Sequence, residues 1–306
     1  MLTGNAVTEY TVASTSQILN PKTGDRDTKL LEAVGLGREK FGPMVQPGAE
    51  IGRLTRQVRE YTGAGDIPVI AVAGHDTASA VIAIPTPDKD YAYLSCGTWS
   101  LMGIETPDAI ITPESRKYNF TNEGGIDGTT RFLKNICGMW IFEQCRPEFK
   151  DAPEDIGELV ALCEKSDCES IINPDDPRFA HPESMTEAIR EYCRESGQAE
   201  PASTADFVRV AFRSLAKRYG TVVGWLREMS PVEIKRLHVI GGGSRNGYLM
   251  QYAADELGIP VVAGPTESTA LGNVLVQLKA CGKIGSLNDM RRVSVNSTET
   301  KTYQPK

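Results

Sequence analysis

Pro68-Val69-Ile70-Ala71-Val72-Ala73-Gly74-His75-Asp76-Thr77-Ala78-Ser79-Ala80 is the stretch on which the reading of this chain turns. The apolar run predicts a buried strand over 68–73, and the small residues after Asp76 predict a helix. Asp76 then stands at the carboxyl end of a strand, where open α/β sheets hold their reactive groups. The same carboxylate has a structural use, because an acidic residue just ahead of a helix caps its free N–H groups.

Further on, Tyr93-Leu94-Ser95-Cys96-Gly97-Thr98-Trp99-Ser100 predicts a second strand, over 91–95, and a polar turn. A base for an acceptor hydroxyl and donors for a phosphate are what phosphoryl transfer requires. Ser95, Thr98 and Ser100 would serve equally well as ordinary turn hydroxyls. A third motif lies near the end: a strand over 237–240 runs into Gly241-Gly242-Gly243-Ser244-Arg245-Asn246, followed by a helix over 247–257 and a strand over 260–263. Glycines after a strand let a ligand approach the backbone, and a helix N-terminus favours anions. A dinucleotide-binding turn is disfavoured, because Asn246 stands where the third fingerprint glycine belongs and no acid ends the next strand. A tight strand-to-helix turn with no ligand remains the structural alternative.

From residue 68 onward strands and helices alternate, the mark of an α/β domain. Further strands are predicted over 101–105 and 118–122, with a loop at Gly124-Gly125-Ile126-Asp127-Gly128. Residues 131–145 read as a helix with Phe132, Ile136, Met139 and Trp140 on one face. Residues 147–186 are acidic and proline-dotted and read as a loop insertion. Ser203 with Asp206 three residues on starts a long helix through Met229, its buried side made by Phe207, Val210, Ala211, Leu215, Val222 and Leu226. After Glu267 a last helix would turn Ala270, Leu271, Val274, Leu275 and Leu278 to the core, with Ala270 and Gly272 close against the glycine turn. The first 75 residues show a short helical pattern over 28–34 and little other apolar periodicity.

The 306 residues are enough for more than one domain. Forty acidic residues against 33 basic ones, a net charge of −7, argue against nucleic acid as a partner. No apolar run approaches membrane-spanning length. Seven cysteines without a signal-peptide pattern predict free thiols in a cytoplasmic protein. His75, His181 and His238 are scattered, and Cys163 and Cys168 are too far apart for a zinc knuckle, so no protein-held metal is expected.

Taken together these stretches resemble the FGGY family of carbohydrate kinases. The resemblance rests on residues 74–80 and 95–100, on Asn122-Glu123-Gly124-Gly125, and on Leu133-Lys134-Asn135-Ile136 with Gly138 and Trp140. It continues through residues 172–179, Gly241-Gly242-Gly243 and Glu267-Ser268-Thr269-Ala270-Leu271-Gly272-Asn273, in the family's order from about residue 5 to 280. It implies an actin-like, ribonuclease-H-like α/β fold, here mainly the C-terminal domain, that closes over ATP-Mg²⁺ and a ketose. On that basis residues 1–75 are a remnant of the N-terminal domain, 76–281 the C-terminal nucleotide-binding domain and 282–306 a tail.

The implied reaction is ATP-dependent phosphorylation of a ketose. His75-Asp76-Thr77 and Asn173-Pro174-Asp175-Asp176-Pro177-Arg178-Phe179 favour the members that act on L-rhamnulose over the xylulose and glycerol kinases, with L-fuculose and D-xylulose as alternatives. Carried over by position, Asp76 is the general base, and His75 and Thr77 contact the sugar with it. Thr98 touches the ATP phosphates, and Asn135 and Gly242 line the nucleotide site. A family glutamine beyond Asn135 falls on Glu143, with Gln144 adjacent. The family's N-terminal domain, with its acidic magnesium-binding hairpin, lies before the region that matches residues 1–75. The chain is therefore expected to be a fragment, inactive alone, with a loosely packed N-terminal piece. The alternative is a non-catalytic nucleotide-binding module; a monomer is the expected state of either.

Overall fold

The computed structural model describes residues 1–306. In chain order, α1 (Tyr10–Ala13) and α2 (Thr28–Ala33) precede a hairpin of β1 (Glu50–Arg53) and β2 (Pro68–Ile70), and α3 (Asp76–Ile82) follows. Next come β3 (Tyr91–Cys96), β4 (Trp99–Thr106), β5 (Thr121–Gly124), β6 (Thr130–Cys137) and α4 (Trp140–Cys145). The rest comprises α5 (Met185–Glu195), α6 (Thr204–Met229), β7 (Arg236–Ile240), α7 (Gly247–Leu257), β8 (Val261–Ala263), α8 (Ser268–Ala280), α9 (Leu287–Ser297) and β9 (Lys301–Tyr303).

The chain forms two compact units, one of Met1–Lys89, Ile104–Leu133 and Glu267–Thr298, the other of Asp90–Gly103, Lys134–Thr266 and Glu299–Lys306. In the second unit five strands lie in the order β9-β8-β7-β3-β4. Strand β3 runs parallel to β7 and antiparallel to β4, β7 and β8 are parallel, and β9 closes the edge antiparallel to β8. Their buried side chains include Tyr93, Leu94, Leu237, Val239 and Ile240. The long helix α6 begins at the expected capping box: Ser203 accepts from the Asp206 amide while the Asp206 carboxylate accepts from Ser203. All six residues expected on its inner side are buried.

In the first unit α3 and α8 pack so closely that a Cβ at Gly272 would collide with the carbonyl oxygen of Ser79. Around that contact Ala78, Ile82, Leu275, Val276 and Met290 form a core. The buried ion pair of Arg291 with Glu105 lies in the same unit. Of the first 75 residues few are buried, Thr11, Leu31 and Ala73 among them.

Several sequence expectations are corrected. The strand ahead of Asp76 spans only Pro68–Ile70, is half-buried, and pairs antiparallel with β1 instead of joining the parallel strands. An apolar run carries no information about its pairing partner, so its length and composition misled. Residues 131–145 are not one helix: β6 occupies Thr130–Cys137, and only Trp140–Cys145 is helical. Every residue of β6 except Asn135 is buried, and a segment buried on both faces shows no strand alternation to read. Residues 118–120 form a turn after a short helix, Pro113–Lys117, and β5 starts only at Thr121 and already contains Gly124. In the 147–186 insertion a short helix, Ile156–Ala161, is present. On α8, Ala270 and Val274 face solvent, and Gly272 packs on Ser79, not on the glycine turn.

Candidate active site

The Asp76 corner lies within the first unit. Asp76 is the first residue of α3, and His75, the N-cap, makes no side-chain cap. The Asp76 Oδ1 accepts from the Thr77 amide at 2.6 Å and from the Thr77 hydroxyl at 3.2 Å. That bond ties the carboxylate to the helix start, yet 80% of its side-chain surface stays open. Capping and chemistry are thus compatible. Thr77 itself is buried, so its hydroxyl orients Asp76 from below. His75 Nδ1 stands 3.7 Å from the Asp76 carboxylate. Burial, and after it the charge of Arg131, lower the His75 pKa, while Glu123, Asp76 and Glu9 oppose the shift. The imidazole is therefore neutral at neutral pH and available as a polar contact beside the carboxylate.

Three side chains complete this corner, of which Glu123 lies in a stretch that carries the resemblance while Arg131 and Glu9 were not singled out by the sequence. Arg131 is fully buried and paired with Glu123 at 2.9 Å, and its Nε donates to the Gly124 carbonyl at 3.1 Å. Glu9 accepts from the Gly74 amide at 3.0 Å across 65 residues of sequence. Spacing along the chain cannot reveal partners that only folding brings together. A buried arginine needs an anion, and Glu123 supplies it.

The other predicted residues lie in the second unit. Gly97 and Thr98 form the turn between β3 and β4, and Thr98 is exposed. The carbonyls of Gly97 and Thr98 accept from the amides of Met139, at 3.0 Å, and Trp140, at 3.2 Å. This contact requires glycine at position 138, where a Cβ would lie 2.6 Å from the Gly97 oxygen. The glycine turn approaches the same place: a Cβ at Gly243 would collide with the Cys96 sulfur, and Gly241, at φ 86°, lies against the Cys96 carbonyl. Beneath them the Ser100 hydroxyl and the Tyr219 hydroxyl bond at 2.8 Å. The glycine turn thus rests on Cys96, the residue immediately ahead of the Gly97–Thr98 turn. Asn246 serves as the N-cap of α7, its side chain accepting from the Leu249 amide at 3.1 Å, which accounts for its presence at that position.

Asn135 is the one exposed residue of β6. Glu143 on α4 is held by Arg146 at 2.8 Å. Neither lines the neighbouring cavity of about 430 Å³, whose walls include Thr98, Trp99, Trp140, Phe179 and His181. One wall of that cavity is anchored by Asp175, which accepts from the Cys137 amide at 2.9 Å and pairs with Arg218 at 2.6 Å. No group of three or more His, Cys, Asp or Glu side chains is placed to hold a metal ion. All seven cysteines are free, and no helix is long and apolar enough to cross a membrane.

Residues 92–281 match the model of the FGGY family of carbohydrate kinases, C-terminal domain, and residues 1–83 match that family's N-terminal domain. The chain belongs to the FGGY family of carbohydrate kinases. Over its whole length it is 54% identical to a rhamnulokinase of Bacteroides thetaiotaomicron, covering 63% of that relative. It is 44% identical to a rhamnulokinase of Pectobacterium atrosepticum, covering 60% of it, and 40% identical to one of Bacillus subtilis, covering 63%. The chain thus spans less than two thirds of the length of these curated relatives. Among solved structures, all of this chain matches 61% of a gluconate kinase from Lactobacillus acidophilus, with a TM-score of 0.78 at 18% identity. It likewise matches 61% of a xylulose kinase from the same organism, with a TM-score of 0.77 at 18% identity. These likenesses carry the FGGY sugar-kinase fold expected from the sequence.

Proposed function

We propose that this FGGY chain carries the base and the nucleotide turns of an ATP-dependent kinase that converts L-rhamnulose to L-rhamnulose 1-phosphate. The observation that carries the reading is the Asp76 carboxylate, held by Thr77 yet open to an acceptor, on a chain 54% identical to a rhamnulokinase. Asp76 takes the proton of the sugar's primary hydroxyl as that oxygen bonds to the γ-phosphorus, and the bond from phosphorus to the ADP oxygen breaks. Neutral His75 orients the sugar, and Thr77 acts through the Asp76 carboxylate that its hydroxyl holds. Thr98, Asn135 and Gly242 line the nucleotide side, with Glu143 at the position of the family glutamine. Magnesium, when bound with ATP, would supply charge neutralisation on the phosphates. In-line phosphoryl transfer asks mainly for positioning and charge stabilisation, which this residue set supplies.

The test is a coupled ADP-release assay on the protein at full length with L-rhamnulose, L-fuculose and D-xylulose. Turnover highest on L-rhamnulose is expected; preference for another ketose overturns the substrate, and turnover on none overturns the kinase. A second reading, a nucleotide-binding module without turnover, is favoured by the glycine-built turns of the second unit, which stand without any carboxylate base in that unit's predicted site set. For this chain it predicts an ATP-induced rise in melting temperature with no ADP release.

A further inference from the structure

Glu9 is the N-cap of α1, a helix of only four residues, and its carboxylate accepts from the amides of Thr11 at 2.8 Å and Val12 at 3.1 Å. Capping asks for nothing more. Yet the same carboxylate also accepts from the Thr11 hydroxyl at 2.6 Å and, across 65 residues, from the Gly74 amide at 3.0 Å. With its proton committed to Glu9, the Thr11 hydroxyl accepts from the His75 amide at 3.1 Å. Two consecutive backbone N–H groups, immediately before Asp76, are therefore held by one carboxylate and the hydroxyl it orients. Thr11 is fully buried, which favours these bonds over water.

The seat is specific. A Cβ at Gly74 would lie 3.1 Å from the Glu9 Oε2 and 3.0 Å from Val12, so any side chain there presses the clamp open. On the far side, α1 is fixed to β5: Ser14 accepts from the Gly124 amide at 2.8 Å, and Gly124 lies against the ring of Tyr10. At the other end of the segment, the Thr269 hydroxyl reaches the Asp76 carbonyl at 3.4 Å. The backbone of 74–76 is thereby gripped from two directions.

We propose that Glu9 and Thr11 are positioning residues for phosphoryl transfer, setting the backbone of Gly74 and His75 so that the Asp76 carboxylate points at the acceptor hydroxyl. The inference rests on the reading of Asp76 as the base. Neither residue touches substrate. Their effect falls on the orientation of the base, and thus on turnover and the sugar, and leaves the nucleotide side alone.

The experiment uses the full-length protein with the variants Glu9→Gln, Glu9→Asp, Thr11→Val, Gly74→Ala and Asp76→Asn, measuring kcat, the KM for ATP, the KM for the ketose and the melting temperature. Glu9→Gln puts an amide N–H where an acceptor is needed, and Thr11→Val removes the link to His75 while leaving the cap intact. A displacement of the base by an ångström costs up to a hundredfold in rate, so Glu9→Gln and Thr11→Val are each expected to lower kcat by about tenfold to a hundredfold. The KM for ATP stays within about twofold of the parent, because misaiming the base removes an interaction made in the transition state. Glu9→Asp recovers part of the loss, and Gly74→Ala reproduces it. Parental kcat in Thr11→Val reduces Glu9 to a helix cap and overturns the proposal. So does a loss in Glu9→Gln that follows the melting temperature and raises the KM for ATP equally. Parental turnover in Asp76→Asn overturns the base reading itself, a failure separate from that of the clamp.

Discussion

The corner around Asp76 and the corner around Thr98 are built by opposite means. In the first unit the working parts are side chains: a carboxylate open to solvent, a neutral imidazole, and behind them Glu9, Glu123 and Arg131 in hydrogen bonds and an ion pair. In the second unit the working parts are backbone. Gly97 and Thr98 rest on Gly138, and the turn of Gly241–243 rests on Cys96, at separations that only glycine permits. A base must be aimed, and aiming a flexible carboxylate takes directional bonds. A phosphate must be approached by amide and hydroxyl groups, and that takes the removal of side-chain bulk. The first corner should therefore fail by loss of charge or acceptor as well as by a methyl group at Gly74, the second by gain of a methyl group alone.

That contrast can be broken or sharpened by measurement, beginning with the largest effect. Asp76→Asn in the full-length protein should lower kcat on the order of 10³-fold, the usual contribution of a positioned base, while an ATP-induced thermal shift persists. Retention of turnover would remove the distinction between the corners. Next, Glu123→Ala leaves the Arg131 guanidinium buried without its anion, and urea unfolding should show a loss of about 3 kcal/mol or more. Replacing both by apolar residues of similar volume should recover most of that loss, showing that the pair matters more for specificity than for stability.

Gly138→Ala should act on the other corner alone. Its methyl group displaces the Gly97–Thr98 turn, destabilising by about 1–3 kcal/mol as overpacking does and shrinking the ATP-induced thermal shift, with ketose KM unchanged. If the ketose KM rises instead, the corners are not separable. The smallest effect is on pH. Because the folded-state pKa of His75 is lowered, the unfolded chain binds more protons as pH falls through the ordinary histidine value of about 6.5. The stabilising contribution of the neutral imidazole is complete above that value and is lost below it. Proton NMR should find His75 neutral where an unperturbed histidine is half charged, and His75→Gln should flatten the stability profile in that window. A His75 titrating at the ordinary value would contradict the buried placement next to Arg131.

Much of this was legible along the chain. The capping box of Ser203 and Asp206, the helix it starts, and the helix over 247–257 were read correctly because short-range hydrogen bonding and amphipathic periodicity act within a few residues. Strand β6 was not, since burial on both faces erases the pattern that distinguishes strand from helix. Glu9 escaped notice for a different reason: its acidity is unremarkable until Gly74 arrives from 65 residues away. The α8 face was half right, with Leu275 buried and Val274 exposed, because a helix covered along one narrow seam leaves part of its apolar stripe open.

By itself the sequence determined the chemistry on offer, namely Asp76 with His75 and Thr77, the Gly97–Thr98 turn and the glycine triplet, because residue type and local spacing decide what a short segment can donate or accept. Only the tertiary structure decided how those groups are held. It set the strand before Asp76 in a hairpin instead of the parallel sheet, and it put Glu9 and Thr11 on the backbone ahead of Asp76. It also laid the Gly241–Gly243 turn on Cys96 and the Gly97–Thr98 turn on Gly138. Contacts between distant segments form where burying apolar surface and satisfying backbone groups coincide, and no local stretch records where that will be.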